Sequence, residues 1–355
     1  MIKLHQTKQQ LLLSTIKRNG LAGITNLALR YYEQKKVPNV VHYTPTALQI
    51  EITTACNLRC TMCEHTFMQQ IGRNMKIGEF KKIVDENPNV QVVNITGIGE
   101  ALMNKQFLDM VEYAKSRGIY VWFSDNFTFM NDANIERILN AGMDYIVMSL
   151  DGTTKETFEK IRVGAVFENV VSNFKKLMAE RDRRGMKKPL MGINMVIVKE
   201  NYREIEKMVG FAHELKADDL MYISIIMSDN TGNLSLWQLD PKETEPYVEA
   251  GKKTAEELGL RVIAWPTVHL KRAEKTGCAY PWLNPYITYN GDVLPCCYIP
   301  QMSNARLDPE NIMGNVLKEP LSKIWNNEKY QEFRRKIKTK QPPTACRTCA
   351  KFYGQ

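Results

Sequence analysis

The chain has 355 residues, 44% of them apolar and 25% charged, and a net charge of +9. That length accommodates one large α/β domain plus a smaller module, and the composition excludes disordered and fibrous classes. No apolar stretch is long enough to span a bilayer, and the opening residues lack the apolar core and cleavage site of an export signal, so a cytoplasmic location is expected.

Residues 1–45 read as a helical extension ending at Pro45. There Leu11, Leu12, Ile16, Leu21, Leu27 and Leu29 alternate with Lys17, Arg18 and Arg30. The pattern predicts an amphipathic helical hairpin suited to weak contact with a membrane surface. Strand and helix patterns then alternate. Short apolar or β-branched runs predict strands at Leu48–Thr53, Val90–Thr96, Tyr120–Ser124, Tyr145–Leu150, Leu190–Val196 and Leu220–Ile226. Helices are expected at Gly78–Asp85, Asn104–Arg117, Asp132–Ala141, Lys155–Lys160 with Phe167–Arg181, and Tyr202–Leu215. This alternation predicts an α/β fold: a partial (β/α)6 barrel of parallel strands with right-handed crossovers, its chemistry at the C-terminal strand ends. The alternation stops near residue 230. A helix at Pro241–Leu258 and a strand at Arg261–Trp265 follow, then a loop-rich tail with a hairpin signal at Asn290-Gly291. The expected divisions are 1–45, 46–235, a connecting segment 236–275, and 276–355.

Eight cysteines fall in two groups with none between residues 64 and 277. Clustering of this kind, without an export signal, suggests metal ligands rather than disulfides. Cys56, Cys60 and Cys63 have CxxxCxxC spacing. Three thiolates on a four-iron cubane leave one iron open to a small molecule, whereas a structural zinc site wants four protein ligands. His65 is a candidate fourth ligand for zinc.

The segment EITTACNLRCTMCEH resembles the cluster loop of the radical S-adenosylmethionine (SAM) superfamily. The resemblance implies a [4Fe–4S] cluster whose open iron chelates SAM. Reductive cleavage of SAM would then yield a 5′-deoxyadenosyl radical that abstracts hydrogen from substrate. NITGIGEALMN resembles the family's glycine-rich segment. Gly97 and Gly99 would allow close backbone approach, and Glu100 would accept hydrogen bonds from the SAM ammonium. Ala101 stands where the family usually has proline. Ser149, in MSLDG, matches a position that contacts the ribose or methionine moiety. Arg162 matches an arginine that pairs with the SAM carboxylate. Asn194 matches a ribose contact. Met62 and Met195 are expected to be core fillers.

In the second group, the spacing of Cys278, Cys296, Cys346 and Cys349 suits an iron–sulfur cluster and a zinc ribbon equally. The run GCAYPWLNPYITYNGDVLPCC and the terminal CRTC resemble the SPASM/twitch extension of radical SAM enzymes. The chain ends before the further cysteines of the full SPASM pattern. The resemblance therefore implies one closed auxiliary [4Fe–4S] cluster, two clusters in all, as in the twitch domain of 2-deoxy-scyllo-inosamine dehydrogenase-like enzymes. Cys297 is left over as a hydrogen-atom donor, a replacement ligand or a buried small residue.

These features predict an oxidoreductase that dehydrogenates its substrate with help from the auxiliary cluster. The alternatives are an epimerase of a sugar, cyclitol or peptide, with Cys297 as catalytic donor, and a zinc-binding interaction protein. Glu64, His65, Asp125 and Tyr222 are candidate bases or substrate contacts. The substrate is a small molecule, sugar, lipid or peptide. Residues 1–45 show no clear peptide-recognition domain, which favours the non-peptide classes. A flavodoxin or ferredoxin is the expected reductant, and no nucleic acid is expected.

Overall fold

The computed structural model describes residues 8–68, 72–225, 228, 230–266, 278–302, 308–339, 341–347 and 349. In chain order the elements are α1 (Lys8–Lys36), β1 (Ala47–Ile50), α2 (Ile77–Asp85), β2 (Val92–Asn94), α3 (Phe107–Ser116), β3 (Tyr120–Asp125), α4 (Asp132–Asn140), β4 (Tyr145–Ser149), α5 (Lys155–Ile161), α6 (Phe167–Arg183), β5 (Leu190–Ile197), α7 (Ile205–Glu214), β6 (Asp219–Ser224), α8 (Pro241–Leu258), β7 (Val262–Ala264), β8 (Tyr286–Ile287), β9 (Asp292–Leu294), β10 (Gly314–Asn315), α9 (Leu321–Ile324) and α10 (Glu328–Ile337). Each predicted strand and helix has a counterpart. The end of the sixth predicted strand, at Ile226, lies outside the described residues.

The chain divides into two compact units, one of residues 1–55, 70–121 and 272–355, the other of residues 56–69 and 122–271. In the first, β1 pairs in parallel with both β2 and β8. The antiparallel pairs β8–β9 and β9–β10 continue outward. The β8–β9 turn is the hairpin expected at Asn290-Gly291. Gly291 takes φ +90°, a left-handed conformation that glycine adopts without a Cβ penalty. In the second unit, β3 from Trp122 onward pairs with β4, and β4–β5, β5–β6 and β6–β7 follow, all parallel. Intervening helices supply the crossovers that parallel pairing requires.

Local signals explain the elements well. In α8, the Asp240 side chain accepts from Lys242 N at 2.9 Å, Pro241 opens the first turn, and Gly259 closes the helix at φ +64°. The central strands are apolar on both faces, as buried parallel strands are. Ile146, Val147, Ile193 and Leu220 are buried in the second unit; Leu48, Ile50 and Val93 are buried in the first.

The N-terminal extension corrects one expectation. It forms two helical runs that meet at Gly20, where φ is +53° and ψ −137°. Two of its three predicted basic side chains are engaged within the first unit. Arg18 donates to Val90 O and Arg30 to Thr46 Oγ1. Burial lowers the pKa of both. Asn26 bonds Thr44, and Gln34 Nε2 donates to Trp282 O at 3.2 Å. Among the described residues no helix is long and apolar enough to cross a membrane. The segment is a docked part of the first unit, and membrane contact is withdrawn as one of its roles.

Candidate active site

The first cysteine group occupies one tightly wound loop in the second unit. Cys63 N donates to Cys60 O at 3.2 Å, and Thr66 Oγ1 donates to the same carbonyl at 2.7 Å. The chain leaving α5 grips this loop. Arg59 N donates to Val163 O and Thr61 N to Ile161 O, both at 2.9 Å. These two bonds bracket Arg162. Its Nε donates to Asp151 Oδ2 at 2.6 Å, with both side chains nearly or wholly buried. Burial opposes the Arg162 charge, yet Asp151, then Cys60 and Cys63, outweigh it and raise the pKa.

The donor set suits a metal cluster. Burial, then the neighbouring Cys60, push the Cys63 thiol up to about 12, with Cys56 adding and Arg162 opposing. Thiols so crowded and buried ionise readily only with positive charge among them, which an iron–sulfur core supplies.

Ser149 and Asn194 are direct partners in the β4–β5 register. Both are buried, and the Asn194 Oδ1 has no hydrogen-bond partner. An unsatisfied buried acceptor is costly, so this atom is suited to a donor such as a ribose hydroxyl. Met195 is fully buried, and Met62 packs against Ile161, Val198 and Ile225, as core residues.

In the first unit, Glu100 is buried and caps a short turn, its carboxylate accepting from Leu102 N at 3.4 Å. The two glycines before it are needed for packing within the chain itself. A Cβ on Gly99 would lie 2.6 Å from both Ala55 O and Thr53 O, and one on Gly97 would lie 2.3 Å from Glu51 Cγ. Glu100 N donates to Ala55 O at 2.8 Å. The glycine-rich segment is thus pressed onto the chain that leads into the first cysteine.

The second cysteine group gathers in the C-terminal part of the first unit. Burial is the main cause of the raised Cys296 pKa; Cys297, Cys346, Cys349 and Cys278 each add to it. Burial likewise pushes Cys297 up to about 12, with Cys278 and Cys349 adding. All five thiols therefore share one neighbourhood, beside Tyr280 and Tyr298, whose rings meet edge-on at 5.6 Å. Among the described residues the eight cysteines form no disulfide. Among the described residues no set of three Cys, His, Asp or Glu side chains forms a ready-made site for a single metal ion.

Comparison with known proteins decides the family. The radical SAM superfamily profile matches residues 50–212, and the SPASM iron–sulfur cluster-binding domain profile matches residues 278–350. The chain belongs to the radical SAM superfamily. It is a radical SAM enzyme of oxidoreductase type with a C-terminal SPASM domain, and SAM and iron–sulfur clusters are its cofactors. It is 27% identical over 300 residues to the tungsten-containing aldehyde ferredoxin oxidoreductase cofactor-modifying protein of Pyrococcus furiosus, covering 81% of this chain and 82% of that one. It is 25% identical over 316 residues to the PqqA peptide cyclase of Granulibacter bethesdensis, covering 86% and 79%. The fold is that of Streptococcus suis SuiB bound to S-adenosylmethionine, at TM-score 0.69 and 18% identity, covering 96% of this chain and 81% of that one. An iron–sulfur domain at residues 278–350 favours iron over zinc at the second cysteine group.

The four candidate bases separate clearly. Tyr222 donates to Ile205 O at 2.5 Å and stacks on Trp265 at 5.3 Å, a packing role. Asp125 accepts from Phe127 N at 2.5 Å and holds that residue at φ +61°. His65 is buried, with Nδ1 3.4 Å from Arg59 Nη1. Glu64, also buried, accepts from Ser228 Oγ and from Asn230 Nδ2 at 3.0 Å. Three organising residues escaped the sequence reading. Asp151 binds Arg162. Asn201, fully buried, spans the Asp151 and Val196 carbonyls at 3.0 and 2.8 Å. Glu51 accepts from Ile98 N at 3.0 Å and Tyr286 Oη at 2.6 Å. Two signals were available: Asp151 lies two residues past Ser149, and Glu51 is a charge beside an apolar strand.

Proposed function

We propose that this enzyme dehydrogenates a peptide side chain, with two [4Fe–4S] clusters. Cys56, Cys60 and Cys63 hold the cluster that binds SAM; Cys278, Cys296, Cys346 and Cys349 hold the auxiliary one. SAM and the clusters supply a hydrogen-abstracting 5′-deoxyadenosyl radical and an acceptor for the electron left on substrate. Glu100 receives the SAM ammonium beside Gly97 and Gly99, Arg162 its carboxylate, and Ser149 and Asn194 the ribose side. The parallel strands make a partial (β/α)6 barrel over residues 46–235, between the 1–45 extension and the 236–275 connection, with the auxiliary domain at 276–355. A reducing, cytoplasmic compartment suits eight cysteines that form no disulfide.

The observation that carries oxidation over epimerisation is the place of Cys297. Its thiol is close enough to Cys278 and Cys349 for both to bear on it. That placement favours service at the auxiliary cluster over hydrogen donation to a substrate radical. The peptide substrate is inferred from the PqqA peptide cyclase likeness, against the non-peptide preference drawn from residues 1–45.

Cys297→Ala separates the two outcomes. Under oxidation the parent protein releases no inverted product, and the variant keeps both SAM cleavage and the full yield of oxidised product. Under epimerisation, SAM cleavage continues and the inverted product disappears. Incubation with dithionite, SAM and deuterated peptides tests the whole reading: deuterium is expected in 5′-deoxyadenosine. Anaerobically purified protein is expected to be brown with about eight irons per chain; colourless, zinc-loaded protein would overturn the cluster assignment.

A further inference from the structure

We infer that Asp151 is a positioning residue: by holding the Arg162 guanidinium beside Cys60 and Cys63, it raises the reduction potential of the SAM-binding cluster. The inference rests on the reading of Cys56, Cys60 and Cys63 as cluster ligands.

Asp151 is wholly buried at the end of β4. Burying a carboxylate is costly, and a buried ion pair is a poor device for stability, because packed apolar side chains do as well. The geometry points to placement instead. One oxygen, Oδ1, accepts from Val196 N at 2.6 Å, and the other, Oδ2, accepts from Arg162 Nε at 2.6 Å. Asn201 ties the Asp151 and Val196 carbonyls and anchors itself through Val198 N, at 2.8 Å from its Oδ1. The carboxylate is therefore fixed by β5, and the Asp151 main chain by Asn201, before it meets the arginine.

Arginine has a long side chain with considerable rotamer freedom, and a single bond to Nε orients the planar fork. Only Nε is committed to Asp151, so the two terminal nitrogens keep their donors for other acceptors. The backbone on either side of Arg162 is pinned to the cysteine loop by the Arg59–Val163 and Thr61–Ile161 bonds. Side chain and main chain thus bring one fixed positive charge to the cysteine loop. A fixed cation in a buried site favours the more negative, reduced form of a neighbouring cluster.

The sign of the effect separates positioning from simple charge. If Asp151 acted only through its own charge, Asp151→Asn would remove a negative charge and make the cluster easier to reduce. If it positions Arg162, the same change frees the guanidinium and makes reduction harder. The test is redox titration of the anaerobically prepared full chain without SAM, followed by electron paramagnetic resonance. The signal that changes on later SAM addition identifies the relevant cluster. At a fixed poise, the reduced-to-oxidised ratio is expected to fall about tenfold in Asp151→Asn, the equivalent of a one-electron shift of about 59 mV. Arg162→Gln is expected to lower the ratio as far, and the double variant no further. SAM affinity, measured by equilibrium binding, should weaken in parallel. Asp151→Glu, which keeps the charge but displaces it, is the second variant should Asp151→Asn fold poorly, with the same direction expected. A ratio that rises or stays unchanged in Asp151→Asn, or stays unchanged in Arg162→Gln, overturns the inference. Failure of the underlying cluster reading looks different: the wild-type chain would then show no SAM-responsive signal at all.

Discussion

Cys60→Ala is expected to abolish SAM cleavage while leaving the chain folded, and Cys346→Ala is expected to do the reverse of half of that. The first should bind about four irons in place of about eight and form no 5′-deoxyadenosine. The second should lose a similar amount of iron, keep cleaving SAM, and fail to complete substrate oxidation. The physical basis is that the loop's shape does not depend on the Cys60 sulfur. Its turn is held by the Cys60 carbonyl, which accepts from Cys63 N and Thr66 Oγ1, and by the Arg59 and Thr61 bonds to the chain leaving α5. Alanine keeps all of these. Loss of iron therefore reports loss of a ligand, and the melting temperature of the metal-free proteins should barely differ. Iron content with 5′-deoxyadenosine and product yields checks both variants. Equal loss of SAM cleavage in the two would refute the division of labour between the cysteine groups.

Much of this architecture was legible because its signals are local. Asp240-Pro241 and Gly259 mark the ends of α8, and Asn290-Gly291 marks the β8–β9 turn. Short apolar runs placed the parallel strands. The cysteine spacings marked the two groups that the structure gathers, one in the Cys56–Cys63 loop and one in the C-terminal part of the first unit. What escaped was non-local. The parallel pairing of β8 with β1, through Gln49 opposite Tyr286, joins segments far apart in sequence and leaves no periodic trace. The docking of α1 escaped for a related reason. Its partners include backbone carbonyls such as Val90 O and Trp282 O. An alternation of leucine with arginine announces an amphipathic helix but not what covers it. Arg162 was found by motif, whereas Asp151 was not, because an aspartate after a strand is ordinarily a turn or cap residue. Only the distance between them reveals that the two act together.

Gly99→Ala is the other substitution expected to have a large effect, and it tests a role for the glycine-rich segment that its motif did not suggest. The added methyl carbon would sit 2.6 Å from the carbonyl oxygens of Thr53 and Ala55. Both are backbone atoms, so no side-chain rotation relieves the contact. Overpacking of this kind costs about 1–3 kcal/mol, and more where backbone must move. The neighbouring bond from Glu100 N to Ala55 O, at 2.8 Å, would be strained by the same displacement. Gly78→Ala is the matched control, since a Cβ there meets nothing within 4 Å. Gly99→Ala is therefore expected to lower the melting temperature by several degrees, and Gly78→Ala to leave it nearly unchanged. Because Ala55 immediately precedes Cys56, the shift should also reach the cysteine loop, so SAM affinity should fall more than auxiliary iron content. If Gly99 served only to admit SAM, the metal-free variant would melt like the parent protein and only SAM binding would suffer. A melting temperature unchanged in the absence of SAM and iron would therefore return the glycine to a purely ligand-facing role.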